Sequence, residues 1–350
     1  MNITHELKKV ALAATIALIA VPAFAQTTAT TDPVGFITLA LSGSSNSGLT
    51  FSSLGLTRTV SYQGSAETIS ANSLTDNEAT WADGQFNGVS GAFYVEITSG
   101  TGAGQMYDIS ATTAASKTIT LSQNLVAGVT APVSFKVRQH WTLASAFGAA
   151  NEGGLTGGTS TTGDQILIYN GAGYDTFYYS TGGIVGVGWR RIGSAPANQN
   201  QAATVLYPED GLVVKRNGST AANVVLMGSV KTGQTSIAIN VGINIVANVF
   251  ASGQTLASSL LYTGSSTTGL ASGSSSTADQ VLLWNSSTSS YDTFYYSSGG
   301  IVGTGWRRVG SVPANQDQSG VALPVAASLI VNRKNATAFN WVAPQHPASL

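Results

Sequence analysis

Histidine and cysteine, the side chains that most often carry acid–base, nucleophilic or metal chemistry, are almost absent from the sequence. There are three histidines, His5, His140 and His346, and no cysteine. A Ser-His-Asp triad would have to use His140 or His346, and no Gly-x-Ser-x-Gly motif occurs. No cluster of side chains has the spacing of a zinc site, and no EF-hand or repeated Asp-x-Asp pattern indicates calcium. The sequence therefore predicts no catalytic residue, no metal and no cofactor.

Two aspartates, Asp175 and Asp292, lie inside aromatic segments of nearly identical sequence. If the following segment at Trp189 returns as an antiparallel strand, Arg190 or Arg191 would face Asp175 across the hairpin, which predicts a structural ion pair. The alternative is a sugar platform, in which aromatic faces stack on sugar rings while Asn and Arg bind hydroxyl groups. The candidate ligand-binding residues of that platform are Tyr178, Tyr179, Trp189, Arg190, Asn198, Tyr295, Tyr296, Trp306, Arg307 and Asn315.

An internal repeat organises the second half of the chain. The segment Tyr174–Gln199 recurs as Tyr291–Gln316 with 22 of 26 positions identical and a constant offset of 117 residues. Weaker similarity continues on both sides, so the repeat units extend over roughly 142–229 and 255–346. Such self-similarity predicts a duplicated structural module.

The repeat also weakens two enzymatic interpretations. A glycosidase needs two carboxylates, but Glu209 and Asp210 are replaced by Ala326 and Ala327 in the second copy. The glycine-rich segment 183–188 resembles a phosphate-binding loop only superficially, because the Gly-Lys-Ser/Thr ending and a following helix pattern are missing. We expect that segment to be a tightly bent link between two strands, and we expect a protein without enzymatic activity.

Short apolar and aromatic runs separated by glycine turns predict β-strands throughout the mature chain. Examples are 36–41, 92–98, 105–109, 117–121, 166–169 and 174–179. Their spacing favours an all-β fold of β-sandwich or barrel-like modules with a tandem-duplicated C-terminal part. The predicted organisation is a signal peptide at 1–25, an N-terminal β domain at 26–141, repeat 1 at 142–254 and repeat 2 at 255–350.

The first 25 residues have the pattern of a secretory signal. Lys8 and Lys9 precede the apolar run Val10–Val21, and Ala23-Phe24-Ala25 forms a cleavage site. The apolar run is short for a membrane span, and none follows it, so we expect no transmembrane helix in the mature chain. Only 9% of residues are charged and the net charge is −1, which argues against nucleic acid as a partner. The expected location is the cell surface or the extracellular space, with the periplasm as the alternative.

Several segments resemble an exported, β-rich family of paralogous proteins found mainly in verrucomicrobial bacteria. The resemblance rests on Thr31–Phe36, Glu96–Gln105 and Trp141–Ser145 together with the export signal. It implies export and a β-rich build, and it supplies no catalytic residues. The expected function is that of a non-catalytic structural or adhesive protein, whose partner is a second copy of itself in an oligomer or filament. The alternative is a bivalent carbohydrate-binding protein that uses the two aromatic hairpins and whose partner is a surface polysaccharide.

Overall fold

The chain folds almost entirely into antiparallel β structure, which confirms the all-β prediction. A computed structural model describes residues 32–88, 91–250 and 253–344, and the predicted signal peptide lies outside these residues. The α-helix α1 covers only Leu143–Phe147, and two short 3-10 turns cover Gly183–Val185 and Gly300–Val302. No helix in the described ranges is long and apolar enough to cross a membrane.

The strands in the described part of the chain are, in order, β1 (Val34–Leu41), β2 (Leu49–Ser52), β3 (Val60–Ala66), β4 (Thr68–Ser70), β5 (Ser73–Thr75), β6 (Asn87–Gly88), β7 (Gly91–Ile97), β8 (Met106–Thr113), β9 (Thr118–Leu121), β10 (Val133–Gln139), β11 (Trp141–Thr142), β12 (Gln165–Tyr169), β13 (Tyr174–Thr181), β14 (Val187–Arg191), β15 (Val205–Leu206), β16 (Leu212–Lys215), β17 (Ala222–Ser229), β18 (Thr235–Ile239), β19 (Gly242–Ala247), β20 (Gln254–Thr255), β21 (Gln280–Asn285), β22 (Ser290–Ser298), β23 (Thr304–Arg308), β24 (Ala322–Leu323), β25 (Ser328–Arg333) and β26 (Phe339–Ala343).

Two groups of strands pair in the same way, and we call them module A and module B. Module A contains a five-stranded sheet in the order β14-β13-β12-β16-β2, a β1–β17 ribbon and a β11–β15 pair. Module B contains a five-stranded sheet in the order β23-β22-β21-β25-β19, a β18–β26 ribbon and a β20–β24 pair. In each module the first two strands therefore pair with strands near the end of that module.

This pairing crosses the domain boundaries predicted from the sequence. Strands β1 and β2 fall in the predicted N-terminal domain but complete the sheet and the ribbon of module A. Strands β18 and β19 fall in predicted repeat 1 but pair with β26 and β25 of module B. Strands β3 to β10, which we call the insert, lie in the chain between β2 and β11 and form their own sheet in the order β3-β10-β7-β8-β9-β5-β4, with β6 beside β7.

Each unit has its own apolar core, built from alternating strand positions. In module A, Leu39 of the ribbon belongs to the same buried cluster as Ile166 and Trp189 of the sheet. In module B, a corresponding cluster joins both layers, with Ile237, Val281 and Trp306 among its members, while the insert encloses a third cluster. Because successive strand residues point to opposite faces, the other face of each ribbon is left toward solvent or toward a neighbouring unit.

The modules meet edge to edge through matching backbone hydrogen bonds. On one side, the amide of Ala247 in β19 donates to the carbonyl of Glu209 at 2.8 Å. On the other side, the amide of Ser53, directly after β2, donates to the carbonyl of Ala326 at 2.7 Å. The turn at Glu209 and the turn at Ala326 therefore occupy equivalent places in the contact between the modules.

A buried ionic network joins the insert to the connection between the modules. Glu96 of β7 accepts a hydrogen bond from Nε of Arg138 at 3.1 Å and another from the Lys231 ammonium group, and Arg138 also pairs with Asp32. Burial acts to raise the pKa of Glu96, but the charges of Lys231 and Arg138 hold it below its ordinary value. This network fixes the insert against the segments that flank the β1–β17 ribbon of module A.

Candidate functional site

The predicted ion pair forms in both hairpins. The Arg191 guanidinium contacts Asp175, and the Arg308 guanidinium contacts Asp292 in the same geometry. Strand register explains why Arg191, and not Arg190, contacts Asp175. Arg191 lies opposite Phe177 on the neighbouring strand, and Phe177 is two residues from Asp175, so all three side chains lie on the same face of the sheet. The pairs are partly exposed and are structural contacts between neighbouring strands.

The predicted sugar platform does not form from most of its residues, because they lie in the protein core. Trp189 is 0% exposed and Trp306 is 4% exposed. The Trp189 indole donates to the carbonyl of Gly148 at 2.9 Å. The other buried members are Tyr178, Arg190, Tyr295 and Arg307. A sugar ring cannot stack on an aromatic face that the core already covers, so these six assignments are corrected to structural roles.

The buried arginines of the hairpins explain the glycine-rich segments. The Arg190 guanidinium donates to the carbonyls of Val185, Val187 and Trp189 at 2.7–2.8 Å. Arg307 makes the equivalent contacts in module B. Gly186 and Gly188 adopt positive φ, a conformation that lets the chain bend its carbonyls around the guanidinium. The segment is thus the tight link that we expected.

The remaining members of the platform are dispersed. Tyr179 and Tyr296 are partly buried and pack edge-on against Trp189 and Trp306. Tyr296 also stacks on Tyr262 with ring centres 3.5 Å apart. Asn198 and Asn315 are exposed in the loops that follow the hairpins. No continuous aromatic surface results from these residues.

A polar cleft lies where the insert meets the two modules, and His140 is one of the residues that line it. The imidazole is 3% exposed and lies between the rings of Tyr94 and Tyr207, with ring centres 4.6 and 5.0 Å away. Its Nε2 lies 2.8 Å from Oδ1 of Asp108, and the Tyr207 hydroxyl donates to the other oxygen of that carboxylate at 3.1 Å. Burial acts to raise the pKa of Asp108, but the hydrogen bonds and charge of its partners lower it below the ordinary value.

The arrangement around His140 lacks the contact that a serine hydrolase requires. Nδ1 of His140 is buried and has no hydrogen-bond partner among the described residues. A triad needs a hydroxyl bonded to the imidazole nitrogen that the aspartate leaves free. The other histidine considered for a triad, His346, lies outside the described residues.

The turn before β16 brings two further carboxylates into the cleft. Oε2 of Glu209 is buried and has no hydrogen-bond partner among the described residues. Burial, followed by repulsion from Asp210, raises the pKa of Glu209 to about 7. Burial raises the pKa of Asp210 to about 6. Perturbed carboxyl groups of this kind are concentrated at functional sites.

The cleft consists of two adjoining cavities that share Met106, Gln123 and Glu209 as lining residues. One has a volume of ≈ 120 Å³ and is also lined by Asp108, Ser122, His140 and Tyr207. The other has a volume of ≈ 280 Å³ and is also lined by Gln105, Asp210, Ser236, Ile237, Ala238, Asn240, Val246 and Asn340. All three structural units contribute to this lining.

The sequence signal for this site is a difference between the two copies of the repeat, which also argues against a glycosidase. At the offset of 117 residues, Tyr207, Glu209 and Asp210 correspond to Pro324, Ala326 and Ala327. Since the two turns occupy equivalent places between the modules, the carboxyl groups are not needed to close the turn. The segment between β2 and β11, which forms the insert and supplies Asp108 and His140, interrupts module A. The described part of module B has no corresponding insertion. Differences between the copies thus marked the site.

A second feature of the surface is an uncovered apolar face on the β1–β17 ribbon. Phe36 and Met227 are paired across the two strands and are 71% and 75% exposed. Val34 and Val225 extend the same face and are also exposed. We call these four residues the ribbon face. Large exposed apolar side chains grouped in this way often mark a binding surface.

The equivalent face of module B is different. Strand register equates Leu39 with Ile237 and Val224 with Trp341, so the counterpart of Phe36 is Gln234. The Gln234 side chain donates to the carbonyl of Ala103 in the insert at 2.8 Å. The position of Phe36 therefore holds a polar side chain in module B, and that side chain contacts the insert, whereas the position of Val225 keeps an exposed valine, Val342.

Comparison with known proteins adds no relative: no protein-family model, curated protein or solved structure matches this chain.

Proposed function

We propose that this chain is an exported, non-catalytic structural protein of the cell surface or extracellular space that associates with a second copy of itself through the ribbon face. The observation that carries the proposal is the exposed cross-strand pair of Phe36 and Met227. The predicted signal peptide supports export. The small number of charged residues supports self-association, because little electrostatic repulsion opposes contact between copies.

The ribbon face suits contact with its own copy. Its four side chains are apolar, and none of them carries a charge that would remain unpaired on burial. A two-fold arrangement places the same patch on both partners, which is the commonest symmetry of soluble oligomers. The Phe36 side chain of one copy would then lie against the apolar residues of the other.

The size of the effect follows from the exposure of Phe36. Complete burial of such a side chain contributes about 1.5–3 kcal/mol, so the 71% that is exposed would contribute about 1–2 kcal/mol per copy. In a symmetric pair both copies gain this amount. Replacing Phe36 by serine should therefore weaken the dimer roughly 30- to 700-fold, at about 1.4 kcal/mol per tenfold change.

The test is sedimentation equilibrium on the chain from Gln26 to Leu350, at several concentrations. We expect a monomer–dimer equilibrium that Phe36→Ser and Met227→Ser each shift to monomer. Ile184→Ser is the matched control, because Ile184 is fully exposed at a hairpin tip far along the chain from the ribbon and its loss should leave the equilibrium unchanged.

Two outcomes would overturn this proposal. A monomer at all concentrations would exclude self-association as the function. Filaments that persist in Phe36→Ser would show that copies assemble head to tail through other surfaces, such as sheet edges, and electron microscopy of negatively stained samples would detect them.

A further inference from the structure

We propose that the cleft around Glu209 is a binding site for an alkylammonium group, such as that of a diamine or a lysine side chain. The ammonium group would lie between the carboxylates of Glu209 and Asp108. This site is separate from the ribbon face and does not depend on self-association.

The lining of the cleft selects for a positive charge. It contains the carboxylates of Asp108, Glu209 and Asp210, and the residues that line it include neither lysine nor arginine. Gln123 and Asn240 add amide oxygens that can accept hydrogen bonds. The three carboxylates would repel an anion, whereas an ammonium group brings three donors and the opposite charge.

Unpartnered buried atoms point to a ligand independently of the charge count. Oε2 of Glu209 and Nδ1 of His140 are both buried without a hydrogen-bond partner among the described residues, and both residues line the ≈ 120 Å³ cavity. Buried polar atoms are normally satisfied, so an exception needs a physical reason. Module B closes its equivalent turn with Ala326, which shows that the fold itself does not require a carboxyl group there.

The shape of the cleft fits an ammonium group on an alkyl chain. The larger cavity, ≈ 280 Å³, holds the equivalent of about nine water molecules at about 30 Å³ each, so it has room for several carbon atoms beyond the charged end. Ile237 and Val246 provide apolar contacts there. Tyr207, which lines the smaller cavity and is 37% exposed, offers an aromatic ring for a cation–π contact.

The test compares two probes of equal length, 1,5-diaminopentane and 1,5-pentanediol, by isothermal titration calorimetry at pH 8.5, where Glu209 is ionised. We expect the diamine to bind and the diol to bind at least tenfold more weakly, because only the diamine carries the charge. Glu209→Gln keeps the shape of the side chain and should weaken diamine binding at least tenfold. Glu78→Gln, which neutralises an exposed carboxylate in the insert, should not change it.

A second measurement does not depend on the variant. The chain from Gln26 contains two histidines, His140 and His346. In an NMR titration with the diamine, the ring signals of His140 should shift while those of His346 stay in place. Nα-acetyl-lysine methylamide then identifies the source of the ammonium group: tighter binding than the diamine favours a peptide, and weaker binding favours a free amine.

Three results would each overturn the proposal. The first is equal binding of the diamine and the diol. The second is diamine binding that Glu209→Gln leaves unchanged and that shifts no ring signal of His140. The third is displacement of the diamine by micromolar calcium chloride. The last result would assign the carboxylates to a metal ion instead.

Discussion

Replacing Glu209 by glutamine should stabilise the folded chain at pH 8 and have little effect at pH 4. Burial and the neighbouring Asp210 raise the pKa of Glu209 from 4.5 to about 7. Between these values the carboxyl group of the unfolded chain is ionised while that of the folded chain remains protonated. The unfolded state then binds fewer protons, so the free energy of unfolding falls as the pH rises.

The expected magnitude follows from the same shift. Each pKa unit corresponds to about 1.36 kcal/mol. The contribution of Glu209 to the free energy of unfolding is therefore fully present below pH 4.5, and it declines by about 3 kcal/mol as the pH rises past 7. Glutamine imitates the protonated acid and does not titrate. The difference in free energy of unfolding between Glu209→Gln and the unchanged chain should therefore grow from near zero at pH 4 to about 3 kcal/mol in favour of the variant at pH 8.

Urea denaturation followed by tryptophan fluorescence at pH 4.0, 5.5, 7.0 and 8.5 measures this difference. Asp210 has a raised pKa as well, but it is present in both proteins and its effect largely cancels in the comparison. Glu78→Gln serves as the control, since Glu78 is exposed. Parallel curves for the variant and the unchanged chain over the whole range would refute the argument that the cleft keeps Glu209 protonated.

Two other predictions concern stability, and urea denaturation at pH 7 checks both. Glu96→Ala should cost about 3–5 kcal/mol because it leaves the buried Lys231 ammonium group without its carboxylate partner. Arg308→Ala at a partly exposed pair should cost about 0–1 kcal/mol, and similar costs at the two sites would contradict the difference in burial. Trp189→Ala and Trp306→Ala should each cost about 3–5 kcal/mol, and a cost under about 1 kcal/mol at either position would mean that the tryptophan is not a core residue.

Local sequence patterns predicted the strands well, but not which strands pair. The predicted strand at 36–41 is β1, and those at 166–169 and 174–179 are β12 and β13. Alternation and turn residues define a strand locally. The pairing of β2 with β16 joins residues that the whole insert separates in the chain. The short segment Leu49–Ser52 has no sequence feature that identifies β16 as the strand it pairs with. Long-range pairing of this kind depends on which faces remain to be buried after local structure has formed.

The site was harder to predict than the fold for a similar reason. Aromatic density drew attention to Trp189 and Trp306, but aromatic residues serve the core and a binding surface equally well, and composition alone does not separate these roles. His140 and Glu209 were both visible in the sequence. Their meeting in one cleft depends on the position of the insert against module A, which the buried network at Arg138 helps to fix.

The repeat itself suggests a way to separate structural from functional residues in this chain. The longest stretch shared by the two copies, Tyr174–Gln199 and its repeat, supplies a buried tryptophan, an arginine held by backbone carbonyls and a surface ion pair, which are structural contacts present in both modules. Among the positions that differ between the modules at equivalent places are Phe36 against Gln234 and Glu209 against Ala326. At both places one module has a side chain that is costly for an isolated monomer: an exposed phenyl ring, or a buried carboxyl group without a partner. Since the other module folds without either feature, the fold does not require them, and the two binding roles that we propose give each of them a reason.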